Sequence, residues 1–425
     1  MQFTWAHPSI AALCSVLVLS VGCERKSGSD DVTVVEVWAH QGQSRENQAL
    51  RAIADAFNAA HERERLRMKI SFFPDRQYAD KVSLAGAAGA LPDVLEVDGP
   101  YVGPWAAEGL LHQIDELVND EIRRDLLGSL IEQGTYRDKL YALGAFDSAL
   151  VVYYNRDILE KAGVAPPETL DAAWSWDEFV AALQRVKPHA KIALSLHLDE
   201  QSDEWFTYAF SPLVWSNGGR LIDEKGSRAT GLLDGKAAVE AVEKWQQLFT
   251  DGLAEATATN PNPFSVGLAA FDWTGHWMLP TFEQTDGLRF GVMPLPRIGD
   301  RAVAASGSWC WGLSSDCDDT QSAWRVIEWL LDPAHGVRPI VEANGAVPGR
   351  HSAFKFFPEY EKPPRKLFRD QLAQAAHPRP RTRVYLALTT EFARALRDIA
   401  LGADVEERLS QAAAAVQRAL DRNRP

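Results

Sequence analysis

Basic charge and cysteine are both in short supply in this sequence. Its 425 residues carry 44 Lys and Arg against 58 Asp and Glu, a net charge of about −14, with no long basic run. That excludes the electrostatic footprint of a nucleic-acid binder, and of a body held to anionic lipid by charge. Of the four Cys, Cys14 and Cys23 fall near the N-terminus, which leaves Cys310 and Cys317 for the folded body. The ten His show no metal-ligand spacing, so no metal centre is expected. No G-x-S-x-G, H-E-x-x-H or P-loop motif occurs, and no G-x-G-x-x-G follows the first strand pattern. Hydrolase, metalloprotease and nucleotide fingerprints are therefore missing, and neither an enzyme nor a cofactor is expected.

The stretch 10–22 is apolar and uncharged but too short to span a bilayer, so it reads as an export signal over residues 1–22. It ends L-S-V-G-C at Cys23, followed by the polar run E-R-K-S-G-S-D. Residues 23–31 read as a tether. Export places Cys310 and Cys317 in an oxidising compartment, and their spacing of seven positions makes a small-loop disulfide possible.

What the chain does have is length and aromatics. Its 425 residues exceed the size at which one core usually stops growing, so two domains are expected. Fourteen Trp residues are accounted for by large cores or by flat faces for an apolar ligand surface. Residues 32–38, V-T-V-V-E-V-W, predict a strand, 46–61 a helix with Leu50, Ile53, Ala54 and Phe57 on one face, and 67–73 a second strand. This βαβ start implies a parallel sheet with helices on its faces and ligands beyond the strands' carboxyl ends. Loop 39–44, which holds Gln43, and the Pro74-Asp75 exit both lie at such ends.

The chain is organised around residues 139–163, K-L-Y-A-L-G-A-F-D-S-A-L-V-V-Y-Y-N-R-D-I-L-E-K-A-G. Two apolar runs, 140–146 and 149–154, read as buried strands broken only by Asp147 and Ser148. A carboxylate between core strands is costly without partners. Asp147 either caps a tight turn or faces a space between two lobes.

The run P-D-V-L-E-V-D-G-P-Y-V-G-P-W-A-A-E-G-L-L-H-Q-I-D (92–115) resembles a block found in bacterial extracellular solute-binding proteins, in particular the large sugar-binding ones of ABC importers. Y-A-L-G…V-V-Y-Y-N-R-D-I-L-E-K-A-G, W-S-W-D-E-F (174–179), W-S-N-G-G-R-L (215–221) and F-S-V-G-L-A-A-F-D-W-T-G-H-W (264–277) resemble further blocks of that family in the same order, and the likeness spans about residues 30–422. The L-S-V-G-C segment is similar to the lipobox of bacterial lipoproteins, which implies a lipid anchor on Cys23. The resemblance implies an α/β, periplasmic-binding-protein-like fold of two lobes with a central cleft and hinge crossings: 32–146 and 290–345 as one lobe, 147–289 and 346–425 as the other. It also implies an extracytoplasmic, membrane-anchored monomer that carries a carbohydrate to two permease subunits. Glycerol-phosphate compounds, or a sugar-sensing role uncoupled from transport, are the alternatives.

Carried over residue by residue, the resemblance puts Asp98 and Tyr101 after a strand at the ligand, with Asp98 as a helix cap the competing role. Asp147 is expected as a polar contact. Trp215, Trp273, Gly275, His276 and Trp277 are expected to face the ligand, the Trp residues by stacking on sugar rings, or else to lie in the core or at the rim. Ser308 and Trp309 are expected in the cleft. Arg379, in H-P-R-P-R-T, is expected at the ligand or as a brace. Gln43 and Asp75 complete the set.

Overall fold

The computed structural model describes residues 32–200 and 202–423. The export signal, Cys23 and the tether lie outside that range.

Two sheets organise the body. The first has five strands in the spatial order Leu66–Pro74, Thr33–Gln41, Val94–Asp98, Trp309–Leu313, Ala142–Gly144. The first three run parallel, and Trp309–Leu313 returns antiparallel to both of its neighbours. Alternation along its strands feeds two cores: Val35, Val37, Val94, Trp311 and Leu313 face one side, and Leu95, Val97 and Cys310 the other. A sheet buried on both faces is what the near-continuous apolar runs demand.

The second sheet has four strands in the order Phe290–Met293, Leu150–Asn155, Ala269–Gly275, Ile192–Ser195. One face carries helices Trp176–Val186, Asp203–Ser216, Lys236–Thr250, Tyr385–Ala400 and Val405–Arg422. Helix Trp176–Val186 shows why such segments form. Ser175 and Glu178 close a reciprocal capping box at its start, and Phe179, Ala182, Leu183 and Val186 bury one stripe. The cap contributes about 1 kcal/mol and each large apolar side chain roughly 1.5–3 kcal/mol. On the other face Tyr153, Phe264 and Phe282 join the apolar cluster that continues into the first lobe through Val337, Ile340 and Phe368. The lobes therefore share a greasy seam.

Three chain segments cross between the lobes, and short ladders lace them together. Val347–Pro348 pairs with Phe146–Asp147, Ala304–Ser306 pairs with Ala376–Pro378, and Ala149 bridges Ser306. Asp147 lies in this lacing and is 0% exposed. It faces no open space between the lobes. Its carboxylate accepts from Ser129 Oγ at 2.5 Å, Gln133 Nε2 at 3.1 Å and the Ser148 N–H at 2.8 Å. Burial raises its pKa, and those donors pull it back. It fastens the crossing rather than greeting a ligand.

Two further expectations need correction. Strand Phe290–Met293 hydrogen-bonds to Leu150–Asn155, so the second sheet holds it and the return to the first lobe comes after it. Residues 346–357 stay with the first lobe: Val347, Ala353 and Phe357 join its core, and Arg350 and Ser352 both bind Asp125. The disulfide that the spacing of Cys310 and Cys317 left open is not formed, and both are free. Cys310 belongs to the apolar cluster on one face of the first sheet and Cys317 to that on the other, so the sheet separates them.

Asp147→Ala leaves three donors without an acceptor at a sealed site. We expect a loss of about 2–4 kcal/mol in urea unfolding. An unfolding midpoint equal to the parent's would show that the carboxylate does not fasten the crossing.

Candidate functional site

The carboxyl ends of the parallel strands Thr33–Gln41 and Val94–Asp98 and the amino end of the antiparallel strand Trp309–Leu313 bring His40, Glu96, Asp98, Ser308 and Trp309 together. The second lobe sets Glu204, Trp205 and Tyr208 from one helix opposite them, with Trp277 just beyond the Ala269–Gly275 strand. Arg379 lies between the two groups.

Arg379 is the hub. Its guanidinium grips Asp98 with both terminal nitrogens, Nη1 to Oδ2 at 2.8 Å and Nη2 to Oδ1 at 2.6 Å. The same Nη1 also donates to Glu204 Oε1, to which Tyr385 donates its hydroxyl at 2.5 Å. The guanidinium lies 5.1 Å from the ring centre of Tyr208, whose hydroxyl meets Ser148 Oγ at 2.8 Å. Asp98 occupies a helix N-cap position but makes no capping bond, because its carboxylate is committed to Arg379. Burial works against the charge on Arg379, but Asp98 and Glu204 outweigh it and hold its pKa well above the ordinary value. Burial raises Glu204, with Arg379 opposing and Asp98 adding to the rise. Glu204 Oε2 and Arg379 Nε are buried without a partner in this arrangement. Gly307 makes the fit possible, since a Cβ there would stand 2.5 Å from Arg379 Nη2.

The first-lobe wall carries a second charged pair. His40 Nδ1 lies 2.8 Å from Glu96 Oε2, which also accepts the His40 N–H at 3.0 Å. The imidazole stacks on Trp309 at 3.7 Å between ring centres, with planes 4° apart. Burial opposes its charge, yet Glu96, Glu46 and Asp75 lift its pKa to about 9. Trp309 is thus a half-buried aromatic plate backed by an imidazolium. Asp75 opens the next helix and is solvent-reachable, while the protein crowded around it raises its pKa, with Asp98 and Glu200 adding to the rise. Gln43 is exposed at the head of helix Ser44–Ala60 and does not cap it.

The second-lobe wall is aromatic. Trp277 is half-buried, with its ring centre 6.1 Å from that of Trp205 and 6.0 Å from that of Tyr208. Gly275 exists for Trp277 rather than for close approach of a ligand: a Cβ on it would lie 2.0 Å from the indole. His276 is buried and hydrogen-bonds the Asn344 carbonyl through Nδ1 at 3.0 Å. Burial lowers its pKa to about 4, so it is neutral.

The expected residues therefore separate into groups. Asp98, Tyr101, Trp309, Arg379 and Trp277 gather at the interlobe surface, with Gln43 and Asp75 at its edge. Tyr101 packs edge-on to Tyr385 at 5.6 Å. Ser308 is buried there, its N–H given to Gln133 Oε1 at 2.8 Å. Trp273 is 1% exposed in the second-lobe core, its Nε1 donating to the Ala209 carbonyl at 3.2 Å. Trp215 is also buried and stacks on His377 at 4.1 Å, away from this wall. Asp147 is sealed in the lacing. The sequence reading missed His40, Glu204, Trp205 and Tyr208. The only signal for them was position, at a parallel strand's carboxyl end or on the helix before the Gly218-Gly219 turn.

His40 carries a prediction with a definite sign. Its folded pKa of about 9 lies above the ordinary value of about 6.5. Its contribution to stability is fully present below the ordinary value and fades as pH rises through the folded one. The stability gap between the parent and His40→Gln should shrink over that window by up to about 3 kcal/mol. Parallel stability–pH curves would show that His40 is not held as an imidazolium.

Comparison with known proteins agrees with this architecture. Residues 41–337 match the family described as bacterial extracellular solute-binding protein. The galactooligosaccharide-binding protein of Bacillus subtilis is 23% identical over 299 residues, 68% of this chain and 68% of that one. A Listeria monocytogenes ABC substrate-binding protein, solved in complex with cycloalternan, superposes with a TM-score of 0.79 at 18% identity, covering 92% of this chain and all of the other. The GacH receptor of Streptomyces glaucescens, solved unliganded and with acarbose, gives a TM-score of 0.78 at 22% identity over 93% of this chain and all of the other. The two sheets, the laced crossings and the facing walls are those of a periplasmic-binding-protein-like fold, and this chain belongs to the bacterial extracellular solute-binding proteins.

Proposed function

We propose that this protein is the extracytoplasmic binding component of an ABC importer, which takes a neutral sugar or oligosaccharide between its lobes and delivers it to a permease of two membrane subunits. The observation that carries this reading is the pairing of aromatic plates with carboxylates across the interlobe surface. Trp309 stands on one wall, and Trp277 with Trp205 and Tyr208 on the other. Sugars present apolar C–H faces and hydroxyl edges, so they suit flat rings rimmed by hydrogen-bond acceptors. The names of the relatives point the same way, toward galactooligosaccharide, acarbose and cycloalternan.

Charge argues against a phosphorylated ligand in this cleft. Both terminal nitrogens of Arg379 are committed to Asp98 and Glu204. Asp98 and Glu200 add to the rise in the pKa of Asp75, and an added anion would meet the same repulsion. The role is binding rather than catalysis. Ligand between the walls favours closure by its differential affinity for the closed state, and the closed lobes present one surface to the permease. A lipid on Cys23 would keep the protein beside that permease as a monomer on a tether.

Calorimetry of the purified protein against mono-, oligo- and phospho-sugars tests the reading. A neutral glycan should bind, and Trp277→Ala should weaken it at least tenfold, about 1.4 kcal/mol or more. Absence of heat and of thermal shift across the whole panel would overturn it.

A further inference from the structure

A second concavity lies between the lobes: Arg379 lines it, but Trp309, Trp277, Trp205 and Tyr208 do not. It has a volume of about 790 Å³, within the range of small-molecule sites. Its first-lobe wall is the hairpin of Thr135–Tyr136 and Lys139–Leu140. Its second-lobe wall is the loop 218–227, and residues 377–383 form its floor.

Its charge runs against that of the chain. The lining holds seven Arg or Lys against four Asp or Glu, whereas the whole sequence has 44 against 58. Internal pairing consumes much of the acid. Arg381 binds Glu132 and Arg220 binds Glu224. Asp223 is turned onto its own loop, accepting from Ser227 and from the Arg228 N–H. Among the described residues, Arg137, Lys225, Arg301 and Arg383 form no ion pair with a carboxylate, and Arg383 donates only to the Asn423 carbonyl. Arg137 sits at the hairpin tip with φ 49°, followed by Asp138 at φ 62°. Such two-residue turns favour Asn-Gly, so the charged side chain is kept at the tip in a left-handed conformation that L-residues resist.

We propose that this groove is a second ligand site, for a small multivalent oxyanion held between Arg137 of the first lobe and Lys225 of the second. Because the two cations come from different lobes, a bound anion favours the lobe arrangement that brings them together. The site is then coupled to the interlobe cleft, and the coupling is reciprocal: the anion changes affinity for the cleft ligand by the factor that the cleft ligand changes affinity for the anion.

The test is calorimetric titration of inorganic pyrophosphate into the purified protein at low ionic strength, without any sugar. Its outcome is therefore independent of the carbohydrate reading. Saturable one-site binding is expected, at least tenfold weaker in the Arg137→Ala, Lys225→Ala double variant and weaker in added sodium chloride. Both side chains are exposed, and an unchanged thermal melt of the double variant would certify its fold. No saturable binding, or equal affinity in the double variant, overturns the proposal. So does binding to phosphatidylglycerol vesicles through the same two residues with no binding of free pyrophosphate, since that would make the ligand a lipid headgroup.

Discussion

One buried guanidinium sets the geometry on which the rest depends. Arg379 joins Asp98, at the end of a first-lobe strand, to Glu204, at the start of a second-lobe helix. Burying three charges costs several kcal/mol of hydration per ion, and only close geometry with further hydrogen bonds recovers it. Here the recovery comes from the two-pronged grip on Asp98, the Tyr385 hydroxyl on Glu204, and the Tyr208 ring beside the cation. Lysine has no planar fork and would lose the grip. The arrangement also needs Gly307, whose missing Cβ is the space the guanidinium fills. A cluster of one cation and two carboxylates is thereby fixed where three crossing segments are laced together, and the two walls are placed relative to it.

Each wall then rests on a smaller constraint of the same kind. Trp309 is held flat by an imidazole that Glu96 pins from behind through two hydrogen bonds. Trp277 folds over the bare Cα of Gly275. Glu46 tucks beneath the loop after the first strand because Gly42 leaves room, since a Cβ there would stand 2.2 Å from Glu46 Oε2. In each case a glycine or a charged partner fixes where an aromatic or acidic group can lie. Binding surfaces held this way lose little freedom when a ligand arrives.

The sequence made the scaffold legible where periodicity and order carry information. Apolar alternation marked the first strands, and the succession of blocks from residue 92 to 277 marked the two-lobe plan. Trp277 was readable because Gly275 stands two places before it, although the glycine's use is to admit the indole. Chemistry set by long-range pairing was not legible. Arg379 meets Asp98 across 281 positions, and Glu204 looks like an ordinary acid in the first turn of a helix. Asp147 drew attention as a charge between strands, but its seal comes from Ser129 and Gln133 on an earlier helix. Cys310 and Cys317 are close in number, yet the face of the sheet on which each lies decided against a bond. The lobe boundary near residue 290 was misplaced because an apolar strand pattern does not say which sheet it will join.

The Arg379 bridge holds the lobes together. Small-angle X-ray scattering on the ligand-free protein tests it directly, comparing the parent with Arg379→Gln at matched far-ultraviolet circular dichroism. The glutamine keeps a donor but loses the charge and the fork. The variant should have a larger radius of gyration, with lobes that have moved apart. An identical scattering profile would contradict it.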